Sequence, residues 1–307
     1  MESRKRVRID YKELSSAEEM TIDIEHLSQI PTQTSLWENE HVTALNIEYI
    51  NVRDINEIIQ PSDLTEEDNF KNLILKDWKK DEFLLSNDYF KNNKDIKDKK
   101  MLTVLKKIRR VLGQEVFGHH IKETQVDSFM TSLLYYLGFD DDPLLIHPQY
   151  DYSVYIDKGR HKITSKVEFM ITKDDAYVVL IVEDKHLKNV IDNNNWSEPQ
   201  IAGEIFGAAF YNKSLITQQP VRYPFDIYAI RVIGTKITFY KSTINRDYLV
   251  EVETKLPINH KLVIQRFPQQ LDPLPNQDMK LPALDFANEN DRIVILSILK
   301  SLYKNNN

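Results

Sequence analysis

The stretch from Ala176 to His186, AYVVLIVEDKH, constrains the fold more than any other part of the sequence. Its β-branched and apolar residues predict a buried strand that ends in charged side chains. Side chains of a strand alternate between the two faces of a sheet, so Glu183 and Lys185 are expected on the same face as Val179 and Ile181. Buried charges are costly unless each one has a partner. The end of this strand is therefore predicted to belong to a binding site, where a metal ion with a phosphate would supply partners for both charges.

The composition narrows the classes of protein that the chain can form. Its 307 residues are enough for one large domain or two small ones, and 41% apolar with 28% charged residues is typical of globular proteins. No apolar run is long enough for a membrane span, and the N-terminus MESRKRVRID lacks the apolar region of a secretory signal. The absence of cysteine excludes disulfides and thiolate zinc sites. A net charge of −7 argues against a surface that is basic all over, but it permits a local basic groove.

Four sections can be distinguished along the chain. Residues 1–35 are a polar arm, 36–100 a mixed and helical N-terminal section, 101–255 a core, and 256–307 a Pro-rich tail with a C-terminal helix. The basic cluster Arg4-Lys5-Arg6 predicts either a solvated arm or a nuclear-import signal. We therefore expect an intracellular protein, nuclear if that signal is used and cytoplasmic otherwise.

Local patterns predict the order of elements within and around the core. Helices are predicted over Thr65–Leu85, Met101–Leu112, Ile121–Leu137, Pro199–Asn212 and Asp291–Tyr303. Strands are predicted over Leu45–Val52, Tyr152–Ile156, Lys162–Ile171, Ala176–Glu183, Phe225–Ile233 and Lys236–Ser242. The tail from Leu256 to Pro282 contains many prolines and is expected to be irregular. The fold class is therefore α/β, with a mixed, mainly antiparallel central sheet flanked by helices and a helical N-terminal section.

Two carboxylates are expected to meet near the end of the Ala176–Glu183 strand. Glu168 lies in the preceding strand, and the turn between the two strands is short. Neighbouring strands are about 5 Å apart, so Glu168 and Glu183 could share one divalent ion. Mg²⁺ and Mn²⁺ prefer hard oxygen ligands of this kind.

Two helices are expected to contribute further polar groups. Glu123 falls beside the apolar stripe of the Ile121–Leu137 helix and is expected to face inward, whereas Asp127 lies further round. Gln200, Glu204 and Tyr211 lie on one flank of the Pro199–Asn212 helix. Its core stripe is formed by Ile201, Ile205 and Ala208, and Gly203 and Gly207 would let this helix lie close to the sheet. Tyr150 and Tyr152 could stack on nucleic-acid bases, but alternating aromatics in a strand are also typical of half-buried packing.

This arrangement resembles the PD-(D/E)xK nuclease superfamily, which has the restriction-endonuclease-like fold. The resemblance covers Glu123 to Ser242 and rests on the order helix glutamate, hairpin acid, ExK strand and Gln-bearing helix. Glu168 stands where the family usually has Asp, and no Pro precedes it. The resemblance implies catalytic roles for Lys185, Glu183, Glu168 and Gln200. It also implies that Glu168, Glu183 and Glu123 are ligands of Mg²⁺ or Mn²⁺.

The activity that follows is metal-dependent phosphodiester hydrolysis of nucleic acid, with DNA favoured over RNA. In such an enzyme Glu168 and Glu183 hold the metal, Glu123 completes a second site, and Lys185 orients the attacking water. Gln200 bonds near the phosphate or Lys185. The alternative is a catalytically inactive nuclease-fold module that binds nucleic acid or a protein partner. A homodimer, or a protein partner bound through the C-terminal region, also stays open.

Overall fold

The structure is a computed structural model that describes residues 24–116, 123–174, 177–184, 198–215, 222–269 and 283–307. Three sequence predictions lie outside the described residues. They concern the basic cluster Arg4-Lys5-Arg6, the position of Lys185, and the prolines of the tail between residues 270 and 282.

Eight strands of the described chain form one sheet in the order β1-β7-β6-β5-β4-β3-β2, and β8 pairs with β6. The strands are β1 Ile47–Asn51, β2 Leu144–Ile156, β3 His161–Lys173, β4 Tyr177–Asp184, β5 Phe225–Ile233, β6 Lys236–Ile244, β7 Leu262–Phe267 and β8 Leu284–Asp285. The pairs β1–β7 and β4–β5 are parallel, and the other pairs are antiparallel. The predicted α/β class with a mixed, mainly antiparallel sheet is confirmed.

Helices cover both faces of this sheet. They are α1 Asn39–Ala44, α2 Asn69–Asn72, α3 Lys80–Phe83, α4 Asn87–Asn92, α5 Lys99–Val116, α6 Glu123–Tyr136, α7 Glu198–Ser214, α8 Arg246–Val252 and α9 Glu289–Asn306. None of the helices in the described ranges has an apolar stretch that could cross a membrane.

The helices divide the core into two layers. The first layer packs α5, α6, α9 and the short helices α2 to α4 against one face of the sheet. The second layer packs α7, α1 and α8 against the other face, and α7 is buried on nearly all sides. A helix that is apolar around most of its circumference is expected to lie inside a protein, which explains the central place of α7.

Two small residues set how closely α7 approaches its neighbours. A Cβ atom on Gly207 would come within 2.8 Å of Ser165 Oγ and 3.1 Å of the Tyr152 ring. A Cβ atom on Gly203 would come within 2.8 Å of the Thr34 side chain. The close approach predicted from these glycines is therefore observed, although Gly203 contacts the N-terminal segment and Gly207 contacts the sheet.

Strand β4 contains an irregularity that changes which side chains share a face. Ile171 pairs with Leu180, but Thr172 pairs with Val178, so Val179 is an extra residue at this point. Val179 consequently packs in the first layer with Leu180 and Val182, and the prediction that it shares a face with Glu183 is wrong. Ile181 packs in the second layer, as predicted for the residue that precedes Glu183 by two positions.

The N-terminal and C-terminal sections complete the same sheet as the core section. Strand β1 pairs in parallel with β7, and β7 pairs with β6. The predicted irregular tail is thus wrong for Leu262–Phe267. The pattern of alternating buried and half-buried residues in LVIQRF is typical of a strand, and the nearby prolines obscure it.

The predicted helix over Thr65–Leu85 is interrupted. Only α2 and α3 are helical there, and between them Leu75 and Asp77 have positive φ angles of 48° and 67°. Phe70, Leu73 and Trp78 are still buried in the first layer. These side chains therefore reach the core although the chain between α2 and α3 forms turns and not a continuous helix.

Glu251, near the end of α8, fixes the segment that leads into β7. Its carboxylate accepts backbone hydrogen bonds from Ile258 at 3.1 Å, from Asn259 at 3.1 Å and from His260 at 3.0 Å. Burial raises the pKa of this carboxyl, but the three backbone donors outweigh that effect and lower the pKa from 4.5 to about 2. The ionised carboxylate therefore contributes stability above pH 4.5, and this contribution is lost as the pH falls from 4.5 towards 2.

We expect Glu251→Gln to reduce the free energy of unfolding by about 2–4 kcal/mol at neutral pH, because the backbone donors lose a charged acceptor. The difference from wild type should shrink near the lower end of that pH range. Urea denaturation at neutral pH and near pH 2 measures this difference in the free energy of unfolding. Asp247→Asn, which changes an exposed carboxylate in the first turn of the same helix, should change stability by less than about 1 kcal/mol. An equal loss for Glu251→Gln at both pH values would contradict this account.

Candidate metal and phosphate site

The site lies at the carboxyl ends of β4 and β5, the parallel pair in the middle of the sheet. Glu183 of β4 is in register with Arg231 of β5, and both residues are buried. Helix α7 begins near the carboxyl ends of these two strands and covers them from the second layer. In open α/β sheets, the carboxyl ends of neighbouring parallel strands are a common place for ligands to bind.

Gln200 brings two buried carboxylates together. Its amide nitrogen donates to Glu183 Oε1 at 2.7 Å and to Glu204 Oε1 at 2.8 Å. The exposed fraction of Glu183 is 3% and that of Glu204 is 0%. One oxygen of each carboxylate therefore accepts a hydrogen bond from the same amide nitrogen, so the two oxygens lie close to each other.

Local sequence rules explain this geometry. Alternation along β4 directs Glu183 into the second layer with Ile181, where α7 lies. Gln200 and Glu204 are four residues apart, so they lie on one flank of α7. Two buried carboxylates at this separation repel each other unless a proton or a cation lies between them. Here the Gln200 amide lies between the two oxygens, and no group of three or more Asp, Glu or His side chains among the described residues is placed to hold a metal ion.

Tyr152 closes one side of the cluster. Its hydroxyl donates to the backbone oxygen of Glu204 at 2.8 Å. Burial raises the pKa of Tyr152 far above 10.0, and the charges of Glu204 and Glu183 raise it further, so this phenol stays protonated and remains a donor. Its exposed fraction is only 5%, so the suggestion that Tyr152 stacks on bases is wrong, and the expectation of packing holds for this residue.

Glu168 lies beside Glu183 in the sheet. Phe169 of β3 pairs with Val182 of β4, so the next positions outward on the two strands are Glu168 and Glu183. Glu168 is half-buried. Val167 packs in the second layer and Phe169 in the first. Residues two apart on a regular strand share a face, so the alternation of side chains along β3 is interrupted at Glu168. The structure thus brings Glu168, Glu183 and Gln200 to one edge of the sheet.

Glu123 lies elsewhere. It is the first residue of α6, it is exposed, and α6 packs in the first layer, across the sheet from Gln200. The prediction that Glu123 faces inward is wrong. Asp127, one turn later, is half-buried instead.

A second charged cluster supports the start of α7. Glu198 accepts a hydrogen bond from Arg266 and one from the Tyr240 hydroxyl at 3.2 Å, and it lies 3.8 Å from Arg231. Arg266 also donates to the side chain of Asn51. These contacts link β1, β5, β6 and β7 to the first turn of the helix that carries Gln200. Arg231 is two strand positions from the buried Ala229, and its place beside Glu183 offsets the negative charge there.

The sequence predictions missed Arg231, Arg266 and Glu198, and they mentioned Glu204 only as a flank residue of its helix. The signal for Arg231 is a single charge inside the apolar run FDIYAIRVI. The signal for Glu204 is a single acid inside the apolar and small run IAGEIFGAAF. Charged residues in such surroundings are seldom fully buried unless they are paired or bind a ligand.

The geometry of this cluster is the main source of information about function. No protein-family model matches the sequence, and no curated protein matches it either.

Proposed function

We propose that the protein is a Mg²⁺- or Mn²⁺-dependent nuclease that hydrolyses phosphodiester bonds of nucleic acid, with DNA favoured over RNA. The observation that carries the proposal is the pair of buried carboxylates, Glu183 and Glu204, held on one amide group of Gln200. Glu168 on the neighbouring strand adds a third carboxylate at the same edge of the sheet. Carboxylate oxygens are the ligands that Mg²⁺ and Mn²⁺ prefer, and Glu183 and Glu168 are the residues that would hold such an ion.

In this proposal each residue has a distinct role. Glu183 and Glu168 hold the metal, and Gln200 fixes the orientation of the Glu183 carboxylate. When bound, the ion polarises the phosphodiester and lowers the pKa of its bound water. Lys185 follows β4 directly, and we assign to it the orientation of that water or the stabilisation of charge on the phosphorus. Water adds to phosphorus, the bond to the leaving oxygen breaks, and a proton passes to that oxygen.

A second candidate is an inactive nuclease-fold module that binds nucleic acid or a protein partner. The specific observation in its favour is that only 3% of Glu183 is exposed, since a substrate phosphate must come close to this carboxylate for cleavage. In either candidate the chain acts inside the cell, and Arg4, Lys5 and Arg6 would direct it to the nucleus. A homodimer would let two copies cut both strands of a duplex.

A cleavage assay tests the proposal. Single-stranded and duplex DNA and RNA are incubated with the protein and Mg²⁺ or Mn²⁺, with chelator in parallel samples and Lys185→Ala beside the wild type. We expect cleavage that requires the metal and falls at least about 100-fold in Lys185→Ala. If no substrate is cut while wild type and variant bind nucleic acid equally, the inactive module is the correct reading.

A further inference from the structure

The long hairpin formed by β2 and β3 has one face that no α-helix of the described residues covers. Asp151 pairs with Lys166, Ser153 with Thr164, and Tyr155 with Lys162, so these six side chains share one face. We call them the outer hairpin face. The alternate residues of both strands, such as Val154 and Ile163, are buried in the second layer. Alternation therefore separates a core face from an exposed polar face.

A polar pocket of about 460 Å³ lies along the outer hairpin face. Its other wall is the segment from Thr32 to Ser35, which is joined to β3 by a hydrogen bond from Thr164 N to Thr32 O at 2.6 Å. Ser35, Thr164, Lys162 and Lys166 line this pocket together with one acid, Asp151. Such a lining can donate several hydrogen bonds to an anion.

The charge of this region is opposite to that of the whole chain. Lys158, Arg160, Lys162, Lys166 and Lys173 lie on the hairpin, whereas its acids are Asp151, Asp157 and Glu168. Asp157 is paired with Arg160 at 2.6 Å. Lys162 and Lys166 are exposed, and neither makes an ion pair with any described part of the chain. The hairpin thus carries excess positive charge in a chain of net charge −7.

The spacing of these groups indicates an extended ligand with repeated negative charges. Lys162 and Lys166 are four residues apart on one strand, which places their Cα atoms about 13 Å from each other. At that spacing the two ammonium groups can contact separate phosphates of one nucleic-acid strand. Tyr155 lies directly opposite Lys162 and is 60% exposed, so its ring is available for stacking.

We propose that the outer hairpin face binds the sugar–phosphate backbone of a nucleic-acid strand, with Lys162 and Lys166 on separate phosphates and Tyr155 stacked on a base. This inference deepens the proposed function and rests on it. The same strand carries Glu168 two residues after Lys166, but Glu183 and Glu204 face the second layer, so a nucleic-acid strand bound along β3 must pass the end of β4 to reach them. Lysine–phosphate contacts provide salt-dependent affinity, and aromatic stacking tolerates any base sequence.

The test measures binding of the full chain to short fluorescent oligonucleotides, in chelator so that nothing is cut. Lys162→Gln/Lys166→Gln should weaken binding at least about tenfold and reduce the slope of log affinity against log salt by about 1.4 for single strands. Tyr155→Ala should weaken binding of single strands by about 5- to 100-fold and leave the slope unchanged. Lys99→Gln/Lys100→Gln makes the same change of charge on the exposed start of α5 and should bind like wild type.

The outcomes separate this inference from the proposed function. If both lysine pairs weaken binding equally, or if neither does, the outer hairpin face is not the binding surface. If the protein cuts nucleic acid and Lys162→Gln/Lys166→Gln binds and cuts normally, the nuclease proposal stands, but the assignment of the outer hairpin face as the binding surface is wrong. If the protein binds through these lysines but cuts no substrate, the surface stands and the nuclease proposal fails. Equal melting temperatures would exclude misfolding as the cause of lost binding.

Discussion

Glu183→Gln is expected to reduce metal-dependent cleavage at least about 100-fold at saturating Mg²⁺. The substitution keeps the size of the side chain and an acceptor for the Gln200 amide, so the variant should fold. It removes the negative charge that, in the proposed nuclease, would hold a divalent ion at the end of β4. Initial rates measured over a series of Mg²⁺ and Mn²⁺ concentrations give the effect, and calorimetric titration with Mn²⁺ should show that the site is lost.

Glu123→Gln is the matched control for this prediction. It makes the same chemical change at a glutamate that the family resemblance implicates, but one that is exposed on the other side of the sheet. We expect its cleavage rate to stay within about twofold of wild type, because surface substitutions remote from a site have small effects. Loss of cleavage in Glu123→Gln together with full activity in Glu183→Gln would show that the metal ligands have been assigned to the wrong residues.

Arg292→Met should reduce the free energy of unfolding by about 4 kcal/mol or more. Arg292 has an exposed fraction of 0%, and its guanidinium donates to the backbone oxygens of Ile74, Leu75, Trp78 and Phe286. Burial lowers the pKa of Arg292 to about 10, so the side chain stays charged at neutral pH. Methionine fills the space, but it leaves four backbone acceptors without their donor, and each such group costs about 1–3 kcal/mol.

The measurement is urea denaturation, combined with limited proteolysis of the segment between α2 and α3. The positive φ angles of Leu75 and Asp77 are held by these hydrogen bonds, so the segment should become a site of cleavage in Arg292→Met. Arg53→Met is the control, since Arg53 is exposed and bonds only to Gln269 among its side-chain contacts. It should change stability by less than about 0.5 kcal/mol. Equal losses in the two variants would show that Arg292 does not fix this segment.

The part of the fold that follows from local pattern was predictable. Strand β4, helix α7 and the end of α6 before Gly138 follow from apolar runs and from a glycine at φ 87°. Glu183 and Gln200 could be placed together because strand alternation and helix periodicity act over a few residues.

The remainder depends on contacts between distant parts of the chain. Arg266 meets Asn51 across 215 residues, and no local period encodes the pairing of β1 with β7 that brings them together. The interruption of the Thr65–Leu85 helix depends likewise on Arg292, which lies far away in the sequence. Glu123 was predicted to face inward from its position beside the apolar stripe of the helix, but the structure leaves it exposed.

The place of β7 between β1 and β6 also orders the events of biosynthesis. A ribosome that has just completed Glu204 has already made every carboxylate of the buried cluster, but it has not yet made Arg266, which holds Glu198 at the start of α7. The edge of β6 stays open over Phe239–Ser242 until β7 emerges. Strand β7 must also pair with β1, which lies far away in the sequence, and pairing between such distant strands is slow. The nascent chain therefore carries the acidic side chains for some time before it carries the support that fixes them. The order of synthesis therefore places the assembly of this acidic cluster after the emergence of β7, although its carboxylates are made earlier.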